Sequence, residues 1–148
     1  MPPILKVPPP LEVRRSPVHG RGVFATGFIS KGARIIEYTG RRVPERDVQD
    51  DENDPHTFYF GLETGEVIDP EIGDGNEARW INHSCDPNCE SIEEDGRIFI
   101  YALRHIKPGE ELSYDYALEI DEPITPKSKK QYKCFCGSPD CRGTMLGL

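Results

Sequence analysis

The sequence predicts a mainly β domain built from short strands. Three observations carry that expectation. Of 148 residues only 36% are hydrophobic, while glycine and proline number 14 each, a balance that favours turns over a helical bundle. The apolar residues fall in short runs, some of them alternating, and Gly- or Pro-containing turns separate the runs. No internal repeat is present. The length suffices for one domain with a real core.

Residues 1–10 contain five prolines and read as a flexible or polyproline-type arm. The domain proper begins near Leu11, where Leu11-Glu12-Val13-Arg14 alternates and can start a strand. His19-Gly20-Arg21-Gly22-Val23-Phe24-Ala25 follows. Two glycines one residue apart let a backbone turn sharply and approach a ligand closely. A Gly-x-Gly alone is more often an ordinary β-turn, and no third glycine or helix pattern makes it a dinucleotide fingerprint. Ser30-Lys31-Gly32 is a turn, Ala33 to Tyr38 a buried strand, and Thr39-Gly40 its end. Pro44 to Asp51 reads as a short helix with Pro44 in its first turn. Thr57-Phe58-Tyr59-Phe60 and Glu66-Val67-Ile68-Asp69 read as strands, and Asp74 to Arg79 as one helical turn. Ser91-Ile92 and Arg97 to Leu103 form a hairpin across Glu94-Asp95-Gly96. Lys107-Pro108-Gly109-Glu110 turns into Glu111-Leu112-Ser113-Tyr114, followed by Asp115-Tyr116. Residues 119–131 are polar and read as a mobile linker before a cysteine-rich segment, 132–148.

The formal charge of −8 argues against direct nucleic-acid binding. Between Pro44 and Glu77 stand twelve Asp or Glu against one basic residue, Arg46. Such a run is usually a solvated surface; it also suits a cationic partner such as a Lys-rich peptide. No apolar run approaches the roughly 20 residues of a membrane span, and Met1-Pro2-Pro3-Ile4-Leu5-Lys6 has no signal-peptide core. The five cysteines therefore read as reduced thiols or metal ligands in an intracellular, reducing compartment.

The richest stretch is Arg79-Trp80-Ile81-Asn82-His83-Ser84-Cys85-Asp86-Pro87-Asn88-Cys89, which brings a carboxamide, an imidazole, a guanidinium, two thiols and the sole Trp together. Pro87 argues for a turn there. Downstream, Cys134, Cys136 and Cys141 place three thiols within eight residues around a Gly and a Pro. Zinc prefers four tetrahedral ligands, so a fourth is expected from Cys85 or Cys89, ahead of His83 or His105. A site of four protein ligands is structural, because no coordination position stays open.

These pieces together resemble the SET-domain protein lysine methyltransferases with a post-SET zinc segment. The matching strings occur in the family's order: His19 to Ala25, Glu37-Tyr38-Thr39-Gly40, Arg79 to Cys89, Glu111-Leu112-Ser113-Tyr114-Asp115-Tyr116, and the Cys134/Cys136/Cys141 tail. The resemblance covers about residues 11–146, with a SET region over 11–118 and the acidic run 44–77 as its variable insert. It implies a β-clip type fold, small β-sheets around a pseudoknot in which the Tyr116 segment threads past Asn82-His83, with short helices and a zinc loop. It implies S-adenosylmethionine as cofactor, held by Gly20, Arg21, Gly22, Arg79, Asn82, His83 and Tyr116, with Phe135 over the adenine. It implies one structural zinc on Cys85, Cys134, Cys136 and Cys141, which leaves Cys89 as a small buried residue. One departure is Arg41, where the family usually has an acid after the Tyr-x-Gly.

In this reading Tyr116, Tyr38 and Tyr114 are the catalytic aromatics, and Tyr38, Phe58, Phe60 and Tyr114 wall a channel for the substrate lysine. Tyr114 stands where the family alternates Tyr with Phe, and a hydroxyl there resembles enzymes favouring mono- or dimethylation. The expected partner is a Lys-containing basic protein or peptide such as a histone tail, in the nucleus of a eukaryote or the cytoplasm of a bacterium. The alternatives are a catalytically silent SET-like module that binds cofactor or peptide, and a structural zinc domain that bridges partners.

Overall fold

The computed structural model describes residues 11–18, 20–44, 60–69, 76–118, 123–139 and 141–147. The described chain is mainly β, as expected, in four small sheets. The strand the core forms around is β9 (Arg97–Ala102), whose residues from Ile98 onward are all buried. It lies between β8 (Cys89–Glu94) and β3 (Arg34–Tyr38) in a three-stranded antiparallel sheet. The β8–β9 turn is Asp95-Gly96, both at positive φ (51° and 75°) between the paired Glu94 and Arg97. That is the backbone twist a two-residue hairpin requires. β8 starts two residues earlier than the sequence predicts, at Cys89.

β1 (Leu11–Arg15) and β2 (Arg21–Ala25) form an antiparallel hairpin, and Val23 and Ala25 of β2 lie in the same core as Ile98 and Ile100 of β9. A third sheet orders β4 (Arg41–Pro44), β6 (Glu66–Asp69) and β5 (Phe60–Gly61). β4 corrects the reading of Pro44 as a helix start. Pro44 closes an antiparallel ladder against Glu66, at the strand end where its missing N–H is tolerated. The remainder of that expected helix, most of the acidic run, and Phe58 lie outside the described residues. Residues Glu77–Trp80 make one 3-10 turn, capped by the Asn76 side chain on the Ala78 N–H.

The fourth sheet positions the site. β7 (Asn82–His83) pairs parallel with β10 (Ser113–Tyr114), register Asn82↔Ser113 and His83↔Tyr114. Parallel neighbours need a long connection, and here the β8–β9 hairpin supplies it. Val23, Ile29, Ile81, Ile100, Ile106 and Leu112 have essentially no exposed surface and belong to one core with Tyr114, while Leu146 of the tail is equally buried outside that cluster.

The expected linker 119–131 contains a helix, α1 (Pro126–Gln131). Thr125 and Ser128 form a reciprocal capping box and Pro126 opens the first turn, so local hydrogen bonds define it without an apolar face. After α1 the chain returns. Met145 N–H donates to Tyr132 O (2.8 Å), Leu118 and Met145 bond at 3.0 Å, and Leu118 bridges Leu146 in parallel. The tail is thereby docked on the residues that follow Tyr116.

Candidate active site

The short parallel pair places two chemistry-bearing segments side by side. His83 is buried, and its Nδ1 accepts the Tyr116 backbone N–H at 3.0 Å. The hydrogen therefore sits on Nε2, which faces the Cys85 sulfur at 3.5 Å. Burial pulls the His83 pKa down to about 4 against the nearby Asp115 carboxylate, so the ring is neutral near pH 7. Tyr116 stands edge-on to this ring at 5.4 Å, and its hydroxyl donates to the Ile81 carbonyl.

From Tyr116 an aromatic row runs outward. Ring centroids are 4.9 Å apart for Tyr114 and Tyr116, 5.8 Å for Phe60 and Tyr114, and 4.7 Å for Tyr38 and Phe60. The sheets explain the gathering: β10 brings Tyr114, β3 ends at Tyr38, and β5 begins at Phe60. Burial holds the Tyr114 and Tyr116 phenols well above their ordinary pKa, with neighbouring Tyr38 adding to the shift. Both are neutral donors and acceptors, not phenolates.

On the other side of His83 is a hollow of about 120 Å³ lined by Val18, Asn82, His83, Ser84, Glu111 and Cys136, among others. Its polar hub is Glu111, which sequence reasoning missed. The Glu111 carboxylate accepts from Asn82 Nδ2 (2.8 Å) and from the Ser16 hydroxyl (2.8 Å), while Asn82 Nδ2 also donates to Arg21 O (2.9 Å). The two glycines divide the work expected of them. Gly20 takes the positive φ of the turn (47°), whereas Gly22 allows close approach. A Cβ on Gly22 would stand 2.3 Å from Glu111 Oε2. Gly22 thus admits a protein carboxylate at this point. The guanidinium groups of Arg21 and Arg79 lie on the Trp80 ring, 5.2 and 4.5 Å from its centroid. Phe135 is 55% exposed with Lys133 over its ring, and stands apart from the aromatic row.

The four thiols of Cys85, Cys134, Cys136 and Cys141 all lie within 4.8 Å of one another. Thiolates about 2.3 Å from a tetrahedral zinc sit roughly 3.8 Å apart, and Cys85 Sγ to Cys134 Sγ is 3.8 Å. The donor set and spacing fit zinc. Cys89 is elsewhere, fully buried, with its thiol on Asn88 Oδ1 at 3.3 Å and its pKa pushed up to about 12 by burial.

Residues 20–117 match the family model described as SET domain. The chain belongs to the SET-domain family. Curated relatives of this SET domain include the histone-lysine N-methyltransferase trr of Drosophila melanogaster, 39% identical over 88% of this chain and 6% of that protein. The human histone-lysine N-methyltransferase 2B is 38% identical over 88% of this chain and 5% of its own length. A Candida albicans protein named histone-lysine N-methyltransferase, H3 lysine-4 specific, is 34% identical over 90% of this chain and 13% of its own length. The chain thus spans only a small part of these relatives.

Two further residues escaped sequence reasoning, Asp115 in the SET domain and Arg142 in the cysteine-rich tail. Arg142 sends both terminal nitrogens to the Asp115 carboxylate at 2.8 Å, and Asp115 sits between Tyr114 and Tyr116. Their signal was present only as position: one follows a cysteine ligand candidate, the other separates two tyrosines.

Proposed function

We propose that this SET domain is an S-adenosylmethionine-dependent protein-lysine N-methyltransferase acting on a basic segment such as a histone tail. The observation that carries the reading is the aromatic row Tyr38–Phe60–Tyr114–Tyr116, which ends beside Asn82 and His83. When bound, S-adenosylmethionine supplies a methyl group activated on a sulfonium. Asn82, Arg21, His83 and the hollow beside them hold one end of it, and Arg79, Gly20 and Gly22 shape the approach. Phe135 joins that set only if it turns inward from its exposed position.

The chain's own residues then act on the lysine. The aromatic walls exclude water and disfavour the ammonium form, which leaves the amine's lone pair ready to attack. The same walls tolerate a cation at their faces. A narrow channel also fixes the line of attack, which is where much of such a barrier is removed. Tyr116, a donor to Ile81, presents its oxygen to the transferring methyl and the amine. The four-cysteine cluster holds a structural zinc that closes the tail over Asn82–Cys85. The relatives' names make chromatin the setting of choice.

The test is methyl transfer to core histones, read by mass spectrometry and by S-adenosylhomocysteine release. Modified lysine is expected, with mono- and dimethyl forms dominating. Binding of S-adenosylhomocysteine without turnover on histones or cell-lysate proteins would instead favour the silent module. Tyr114→Phe is expected to shift product toward higher methylation, because it removes a buried hydroxyl from the row. An unchanged product distribution would remove Tyr114 from the role of size gate.

A further inference from the structure

Arg142 touches both halves of the site. Its backbone N–H points at the Cys85 sulfur at 3.5 Å, one residue after Cys141. Its guanidinium makes a two-pronged contact with Asp115 (2.8 and 2.8 Å), and Nε donates to Leu146 O at 3.0 Å. One terminal nitrogen also reaches Met145 O at 3.4 Å. Asp115 in turn accepts the Ala117 N–H at 2.9 Å, at a residue held at positive φ (44°), and lies 3.6 Å from His83 Nδ1. A planar fork matched to a carboxylate fixes orientation as well as distance, which a lysine cannot reproduce.

We propose that Arg142 is a positioning residue that ties assembly of the cysteine cluster to the geometry of Tyr114 and Tyr116. The inference rests on the methyltransferase reading only for its kinetic consequence. Once the four thiols gather, Arg142 is delivered to Asp115, and Asp115 fixes the backbone between the two tyrosines and past Tyr116. The Tyr116 N–H is then held on His83, and the phenol faces the channel. With the fork lost, the cluster still forms, but the tyrosine segment samples other positions. A misplacement of that size reduces turnover more than peptide capture.

The experiment compares the unaltered protein with Arg142→Lys, Asp115→Asn and the double variant. Zinc content by metal analysis is expected to stay at one per chain in each. Amide hydrogen exchange over 114–118 is expected to quicken in all three. The kcat is expected to fall roughly tenfold with KM for a histone peptide changed by less than about twofold, given a partly exposed charge-assisted pair. The double variant is expected to be no worse than the poorer single one. Unchanged exchange over 114–118, additive losses, or zinc lost from Arg142→Lys would each overturn the proposal. If the unaltered protein transfers no methyl group, the methyltransferase reading fails on its own, while exchange and zinc content still decide the role of Arg142.

Discussion

At the scale of single residues, the candidate site depends on small groups facing large ones. Gly22 is one such case, since a Cβ there would displace the carboxylate that holds Asn82. Gly22→Ala is expected to weaken S-adenosylhomocysteine binding about tenfold, the cost of one disturbed hydrogen bond to a charged group. The sole tryptophan, Trp80, lies two residues from Asn82, so its fluorescence during a ligand titration checks this directly. A pH profile tests the tyrosines. Because burial raises the Tyr114 and Tyr116 pKa values, neither loses its proton below pH 10. With both phenols protonated, the group expected to limit kcat/KM in alkaline solution is the substrate amine, about 10.4 when free. The expected profile climbs with unit slope from pH 7 toward 9. A plateau that Tyr116→Phe abolishes would assign the titration to the protein instead.

At the scale of elements, the contrast between two cysteines is decisive. Cys85 joins the tail thiols and Cys89 does not, although they are four residues apart in one loop and strand. Cys85→Ser is expected to lose zinc, free residues 132–147 to protease and lower the melting temperature, whereas Cys89→Ser keeps the metal. Zinc retained in Cys85→Ser would undo the assignment. The elements also show where the sequence was readable. The Asp95-Gly96 hairpin was plain because its turn chemistry is local. Zinc's four-ligand demand predicted a fourth thiol, Cys85 or Cys89, beside Cys134, Cys136 and Cys141, and only the family resemblance singled out Cys85. Strand β4 was hidden because Arg-Arg-Val-Pro has no alternation and owes its conformation to its partner, β6. Helix α1 was hidden because no apolar stripe marks it, although Thr125-Pro126 was a cap signal in view. Glu111 was invisible as a partner of Asn82, since 29 residues separate them and no local pattern links them.

At the scale of the whole molecule, charge and topology dominate. The chain carries −8 overall, with its acids concentrated between Pro44 and Glu77. Asp50, Asp51 and Glu52 lie outside the described residues, and their role in capturing a basic peptide is tested in solution. Neutralising all three to Asn, Asn and Gln is expected to weaken peptide binding roughly threefold at 50 mM salt, with the difference shrinking at higher salt as the Debye length shortens. Equal affinity at low salt would leave the run as a solvated surface. Among the described residues no helix is long and apolar enough to cross a membrane.

The contact between Cys85 and Cys134 joins residues 49 apart in sequence. A chain synthesised from its N-terminus therefore exposes Asn82, His83 and both tyrosines before the thiols of the tail exist to meet Cys85. The hollow, lined in part by Cys136, is then completed last, and a zinc taken up by the four thiols would set the time of that step as well as hold it closed. A nascent or zinc-starved population should carry a folded β core with an open cofactor side, and competence should appear at a rate set by metal delivery, not by formation of the sheets.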